Sequence, residues 1–398
     1  MKKRILFVDD EPNVLQGLQR ILRPLRDEWE MTFVGSGREA LDRLTQEPVD
    51  VIVSDMRMPT MDGVQLLTEV MRRHPEVVRI GLSGQSDEET ALRALGPTHQ
   101  YLSKPCDPEV LKAVVTRASA LRELLTDPIL TGLVAGMKSL PSLPSLFLEV
   151  VEALKQPDIS VHKISRLIEQ DVAMAAKILQ LVNSAFFGLR RRVDDLSRAI
   201  SLLGFNTIKT LVLSVHLFSQ CDQARLKRFQ LATLWEHSFT VGSVARSIAR
   251  SESQEQSAID AAFTAGLLHD TGKLVLATNV PELYDKALAC AQARKIPGWE
   301  AEQATLGVSH AQIGAYLLGI WGLPRTIVET LAFHHCPAQC PEQMVGPLTA
   351  VHVADSLVYE QHSSKTASPQ GLIDSDYLTK LGLADRLPPW REQSQALC

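Results

Sequence analysis

The sequence predicts a two-part chain: a doubly wound α/β sheet in the first third, followed by an all-helical remainder. Two observations in the first third point to the sheet. Short apolar runs, rich in β-branched residues, each stop on a polar residue: Ile5–Val8 on Asp9-Asp10, Val51–Val53 on Ser54-Asp55, Ile80–Leu82 on Ser83, and Tyr101-Leu102 on Ser103-Lys104-Pro105. Such runs without polar alternation suit parallel strands buried on both faces. Between them, Val14–Leu25, Arg38–Leu44, Val64–Arg73 and Asp87–Leu95 carry apolar stripes at helical spacing, the alternation of βαβ units. Pro12 opens the first of these helices, while Pro75 and Pro97 follow the ends of later ones. The third observation is a break: after Asp127-Pro128 the strand signals vanish.

A chain of 398 residues is long enough for two or three domains, each with a core of its own. The 41 Lys and Arg against 46 Asp and Glu leave a mildly acidic balance, which disfavours nucleic-acid binding through a broad basic face. The six cysteines (106, 221, 290, 336, 340 and 398) lack paired spacing, and Cys336-Pro-Ala-Gln-Cys340 lacks the second half of a zinc ribbon. Reduced thiols are the reading this favours. Met1-Lys2-Lys3-Arg4 runs straight into a strand, and no apolar run reaches membrane-spanning length, so a soluble, cytoplasmic protein is expected.

Open α/β sheets place their ligands outside the carboxyl ends of the strands. At that edge the sequence puts three carboxylates (Asp9, Asp10, Asp55), the Ser83 hydroxyl and the Lys104 ammonium, with Pro59 and Asp62-Gly63 marking a loop after Asp55. Three carboxylates this close repel one another unless a cation sits among them, and hard oxygen ligands suit Mg²⁺. A carboxylate beside such an ion can accept a phosphoryl group as nucleophile. Lys104 would neutralise the phosphoryl oxygens, and Ser83 would donate a hydrogen bond to one of them.

On these residues, Met1 to about Ala120 resembles the receiver domain of two-component response regulators. The resemblance implies a flavodoxin-like, five-stranded parallel sheet. It implies Mg²⁺ held by Asp9, Asp10, Asp55 and the backbone carbonyl of Arg57, with Asp55 as phosphoacceptor. Ser83 would be the switch hydroxyl and Tyr101 the switch aromatic, three residues before Lys104-Pro105. A sensor histidine kinase or phosphotransfer protein would be the donor. The added charge of about −1.5 to −2 would draw Ser83 and Lys104 inward, with Tyr101 following, and bias the helix that leads out of the domain.

That helix starts at Asp107. Leu111, Val114, Val115, Ala118, Leu121, Leu124 and Leu125 carry one stripe past the end of a receiver, into a linker at 121–135. The stripe either pairs with a second chain, giving a homodimer, or packs on the following domain. The helical domain is expected over 136–392, with a tail at 393–398. Its candidate helices are Ser145–Gln156, Val161–Asp171, Met174–Asn183, Asp195–Gly204, Asn206–Ser219, Leu234–Arg250, Gln256–Leu276, Glu282–Arg294, Trp299–Thr305, Ser309–Trp321, Pro324–His335, Pro347–Glu360 and Asp376–Leu383. Ser363–Gln370 reads as a polar loop. Phe186-Phe187 reads as core, and Asn183 with Gly188 as a helix ending. Arg190-Arg191-Arg192 reads as a solvated loop or an anion clamp.

Histidines and acids recur in this half: His237, His269-Asp270, His310, His334-His335 and Asp355. His269-Asp270 closes the apolar stretch Ala265–Leu268, and Gly272-Lys273 follows. Neighbours on a helix point about 100° apart, so both reach one ion only in a turn or a cavity. Imidazole with carboxylate suits Zn, Mn or Fe(II), and a metal pair could activate water against a phosphate ester. Lys273 could neutralise the phosphate. Any one of these histidines alone reads as structural, and His74, His99, His162, His216, His352 and His362 fit no pattern.

Gly266–Leu274 (GLLHDTGKL) resembles the central motif of HD-superfamily phosphohydrolases. The residue order also resembles the HD-GYP cyclic-di-GMP phosphodiesterases, but the Gly-Tyr-Pro segment expected after His334-His335 is replaced by Cys-Pro-Ala-Gln-Cys. Ser139–Pro144, Asn183–Gly188, Ala199–Phe205, His310–Ala315 and Ile320–Pro324 resemble instead the HDOD domain, an HD-related output module. This implies a downstream signalling protein as partner and an output without established catalysis. The alternative is a metal-dependent phosphohydrolase with Mn, Fe or Zn, acting on a cyclic dinucleotide or other nucleotide. Charge and the lack of a recognition helix disfavour DNA.

Overall fold

The computed structural model describes residues 2–84, 97–104, 106–122, 131–132, 134, 137, 141–142, 149–150, 153, 160–183, 193–213, 219–220, 228–362 and 373–397. The chain divides into two compact units near Ser139.

The first unit holds a parallel sheet of β1 (Lys3–Val8), β2 (Trp29–Val34), β3 (Val51–Asp55), β4 (Val78–Gly84) and β5 (Gln100–Lys104), in the order β2-β1-β3-β4-β5. With it go α1 (Pro12–Leu22), α2 (Gly37–Gln46), α3 (Gly63–Arg73) and α4 (Pro108–Arg122). Strand residues alternate between two cores. Ile5, Phe7, Val51, Val53 and Ile80 pack with Leu111, Val114 and Val115 of α4. Leu6, Val8 and Ile52 pack with Ala40 and Leu44 of α2 and with Leu66, Leu67 and Val70 of α3. The five-stranded, flavodoxin-like sheet expected from the sequence is therefore present. The order reverses between β1 and β3, the switch point where open sheets form a ligand crevice.

The second unit is helical: α5 (Val161–Ile168), α6 (Val172–Asn183), α7 (Leu196–Leu213), α8 (Leu231–Glu252), α9 (Gln256–Leu268), α10 (Thr271–Asn279), α11 (Pro281–Arg294), α12 (Gly298–Leu306), α13 (His310–Ile320), α14 (Arg325–Phe333), α15 (Pro347–His362), α16 (Ser375–Lys380) and α17 (Leu387–Leu397). The last four residues of α6 and the last two of α13 group with the first unit. Gly204, at φ 76°, interrupts α7 where the sequence separates two helices.

Several expectations need correction. The single helix read over Gln256–Leu276 is two, because Asp270 (φ −95°, ψ 11°) leaves helical geometry and caps α10. The terminal helix ends at Lys380 rather than Leu383. The tail at 393–398 instead belongs, through Leu397, to α17. Pro388 and Pro389 sit in the first turn of that helix, where a missing N–H costs nothing. The strand signals after Asp127 do not vanish entirely: Pro141–Ser142 (β6) pairs in parallel with Ser219–Gln220 (β7). The stripe beyond Arg122, the helix at Asp87–Leu95, most of Ser145–Gln156, Phe186–Gly188, Arg190–Arg192 and Ser363–Gln370 lie outside the described residues.

Candidate functional sites: an acidic sheet edge and a histidine cluster

At the carboxyl edge of the sheet, Asp9 follows β1 and Asp55 ends β3, on either side of the switch point. Both are buried, while Asp10 is more exposed. Each of the three offers an oxygen, all within 4.8 Å of one another. The Lys104 ammonium, at the end of β5, donates to Asp9 Oδ2 at 2.6 Å and lies 2.9 Å from Asp55 Oδ1. Backbone groups fix the carboxylates: Glu11 N–H donates to Asp9 Oδ1 (3.0 Å) and Met56 N–H to Asp55 Oδ1 (2.9 Å).

The following loop is held close. Gly63 N–H donates to the Met56 carbonyl at 3.0 Å. A Cβ at Gly63 would lie 2.2 Å from the Asp55 carbonyl oxygen, so only glycine fits. Asp62 then starts α3 with a capping box to Gln65.

Burial raises the Asp55 carboxyl above its usual range, against the pull of Lys104. Burial also opposes charge on Lys104, but the bonds to Asp9 and Asp55 outweigh it and raise its ammonium. Arg57 is exposed two residues beyond Asp55. Tyr101 is buried, its ring against Gly81. Ser83 stands in β4 opposite Ser103, and its side chain lies outside the described part. An all-oxygen donor set of three carboxylates fits Mg²⁺.

The helical unit draws every histidine and acid of the sequence motif into one buried cluster. Helices α8 and α9 cross at Gly242 and Gly266, where a Cβ on Gly266 would lie 2.7 Å from Gly242 Cα. That close approach sets His237 beside His269, with ring centroids 5.4 Å apart. The break at Asp270 lets adjacent His269 and Asp270 both face the cluster. Lys273 donates to Asp270 Oδ2 at 2.7 Å. His310 opens α13, His334-His335 follow α14, and Asp355 comes from the middle of α15.

His237 Nε2 is 3.0 Å and His269 Nε2 is 3.6 Å from Asp355 Oδ1. Asp270 Oδ2 is 3.4 Å from His269 Nε2, and its Oδ1 is 3.2 Å from His310 Nε2. His310 and His335 meet at 3.0 Å through Nε2.

Three rings are aimed by what their outer nitrogens do. Nδ1 of His269 donates to the Gly266 carbonyl (2.6 Å), that of His334 to the Leu331 carbonyl (2.8 Å), and that of His310 to Glu302 (2.7 Å). Each ring thereby turns Nε2 inward, as metal-binding imidazoles do. Nε2 of His269, Nε2 of His334 and Oδ1 of Asp270 are buried without a hydrogen-bond partner. Donors of three sets converge within 4.8 Å: His237, His269 and Asp355; His310, His334 and His335; and His269, Asp270 and His334. Nitrogen and carboxylate donors in this mix fit Zn, Mn or Fe(II).

Burial opposes charge on His269, but Asp270 and Asp355 overcome it and raise its imidazole to about 10. Burial, with His269 and His310 beside it, pushes His334 down to about 3. Asp270 and Asp355 resist burial through the histidines around them and stay well below the usual carboxylate range.

Sequence reading missed three participants. Glu302 of α12, buried, accepts both the ring and the backbone N–H of His310. His352, which fits no sequence pattern, donates through Nδ1 to the His334 carbonyl (2.7 Å) and accepts the Asp374 N–H at Nε2 (2.8 Å). Trp299 stacks on His335 at 15°.

The family of response regulator receiver domains matches residues 5–116, and the HDOD domain family matches residues 140–337. An uncharacterised protein of Treponema pallidum is 31% identical over 233 residues, 58% of this chain and 45% of that protein. The hydrogenase transcriptional regulatory protein HoxA of Cupriavidus necator is 38% identical over 125 residues, 31% of this chain and 25% of its own. The chain thus spans less than half the length of these curated relatives. Among solved structures, the MmoQ response regulator of Methylococcus capsulatus is 24% identical, with 65% of this chain and 97% of that one covered and a TM-score of 0.48. Among the described residues no helix is long and apolar enough to cross a membrane. The chain belongs to the response regulators that join a receiver domain to an HDOD domain.

Proposed function

We propose that this response regulator is switched by phosphorylation of Asp55 and that its HDOD domain acts mainly by binding a downstream signalling protein. The observation that carries the reading is the placement of Asp55 at the switch point, within reach of both Asp9 and the Lys104 ammonium. An Asp55 carboxylate oxygen attacks the phosphorus of a phosphohistidine donor, and the P–N bond breaks toward the departing imidazole. Lys104 transfers its contact from the carboxylates to the new phosphoryl oxygens. Mg²⁺ held by Asp9, Asp10, Asp55 and the Arg57 carbonyl would supply the remaining positive charge. Ser83 donates to a phosphoryl oxygen, and Tyr101 follows it. The test is incubation of the full chain with acetyl phosphate and Mg²⁺, followed by peptide mass spectrometry. A labile adduct should map to Asp55 and vanish in Asp55→Asn; no adduct on that side chain would overturn the reading.

A specific observation favours a second reading of the HDOD half, as a metal-dependent phosphohydrolase acting on a cyclic dinucleotide or another nucleotide. All seven motif residues converge, with inward donors lacking partners. Two ions of the Mn, Fe or Zn type, held by these residues, would supply an activated water. His310 is kept in place by Glu302, and Lys273 sits where it can hold a phosphate oxygen. Elemental analysis of purified protein, then turnover of cyclic and linear dinucleotides with Mn²⁺ or Fe²⁺, separates the readings. Metal-free protein without turnover leaves the interaction module alone.

A further inference from the structure

A second polar cavity, of about 310 Å³, opens in the helical unit away from the histidine cluster. Arg166 of α5 and Arg246 and Arg250 of α8 line it, together with Glu169, Asp195 and Asp260. His237 and Arg246 are nine residues apart on α8, and Asp260 and His269 nine apart across α9. At 1.5 Å per residue the cavity therefore lies about 14 Å along the same helix pair from the histidine cluster.

Three guanidinium groups and three carboxylates sharing a cavity would ordinarily collapse into ion pairs. Here none does: among the described residues, no arginine of this set lies within 4.0 Å of a carboxylate. The acids are engaged otherwise. Glu169 accepts from the Ser197 hydroxyl at 3.2 Å, Asp195 from the Arg198 N–H in the first turn of α7, and Asp260 from Gln256 at 2.8 Å. Burial holds the Glu169 and Asp260 carboxyls above their usual range, against the attraction of Arg246 and, at Asp260, of Arg250.

The arginines attract these acids through space, Arg246 both Glu169 and Asp260 and Arg250 Asp260, without closing an ion pair. Arg246 lies over Phe263, 3.7 Å from guanidinium carbon to ring centroid, and its Nε is buried without a hydrogen-bond partner. Arg250 stands one helical turn further on, so two like charges share the space, with the Asp260 carboxylate near enough to attract both. Rigid, planar, unpaired guanidinium groups are the usual means of holding phosphate oxygens. The carboxylates that share the lining, acceptors when ionised, suit hydroxyl or amino donors on the same ligand. The volume is at the lower end of that of small-molecule sites, about 300–1,000 Å³.

We propose that this cavity is an effector site for a nucleoside monophosphate-sized anion. Its phosphate sits on Arg166, Arg246 and Arg250, and its hydroxyl or amino groups on Glu169, Asp195 and Asp260. The proposal uses none of the metal-cluster residues, so it stands or falls apart from the readings above.

The test is calorimetric titration of the full chain with AMP and with GMP, and with inorganic phosphate as reference. At least one nucleotide should bind saturably, at least tenfold tighter than phosphate. Arg166→Gln with Arg250→Gln should weaken it at least tenfold at an unchanged melting midpoint, and Arg246→Met, which keeps the packing on Phe263, should do the same. Chelator-treated protein should bind equally well. No saturable binding, phosphate binding as tight as nucleotide, unchanged affinity in the arginine variants, or loss of binding on chelation would each overturn the assignment.

Discussion

Gly272 approaches the His310 carbonyl so closely that a Cβ on it would lie 1.9 Å from the oxygen. This contact locks the start of α10, and with it His269-Asp270, onto the start of α13. Gly272→Ala would gain about 1 kcal/mol of helix propensity but lose roughly 1–3 kcal/mol or more to overpacking against backbone that cannot turn aside. We expect a lower midpoint of urea unfolding for the helical domain. An unchanged or higher midpoint would show that the two helices can part without cost.

Lys104 is the cation between two buried carboxylates, Asp9 and Asp55. Removing one partner of a buried pair costs about 3–5 kcal/mol, less here because Lys104 is 23% exposed, so Lys104→Met should cost roughly 1–3 kcal/mol. Adding Asp55→Asn removes one of the two stranded charges and should recover part of that loss. A double-mutant cycle on thermal unfolding of the receiver measures it; strict additivity would mean that Lys104 and Asp55 do not interact.

Glu302 holds His310 by two hydrogen bonds of 2.7 Å. Outer partners of this kind change metal affinity about 10–100-fold when altered. Under the metal reading, Glu302→Gln should lower Mn²⁺ or Zn²⁺ affinity by that factor in competition with a chromophoric chelator. Equal affinity in variant and wild type would reduce Glu302 to a packing role.

Much of this was readable from residue order, and the exceptions have physical reasons. The strands read as apolar runs ending on polar residues were those buried on both faces. The apolar-run pattern does not mark the edge strand β2, because Trp29–Val34 mixes Glu30 and Thr32 with apolar neighbours on a half-exposed edge. The histidines and acids of the second cluster were named from their order, yet a continuous apolar pattern hid the break at Asp270 that lets two adjacent side chains converge. Glu302 and His352 left no trace, since their partners lie on other helices and only tertiary packing joins them. No helix is predicted over Leu387–Leu397, where Pro388 and Pro389 stand in a first turn that accepts them.

Lys177 of α6 is fully buried, and burial pushes its ammonium down to about 7 from an ordinary 10.5. Between these values the unfolded chain holds a proton that the folded chain has released, so this residue's contribution to stability rises with pH from about 7 to 10.5. Below pH 7 both states are charged and the full cost of burial applies, on the order of 5 kcal/mol at most. Lys177→Met, similar in length and without charge, should therefore be more stable than wild type near pH 7, with an advantage that shrinks steadily toward pH 10. Denaturant unfolding of both proteins at pH 6.5, 8 and 9.5 reads the difference while cancelling every other group that titrates. A gap that stays constant across that range would mean Lys177 keeps its ordinary proton affinity in the fold, and a gap that widens would reverse the sign of the linkage.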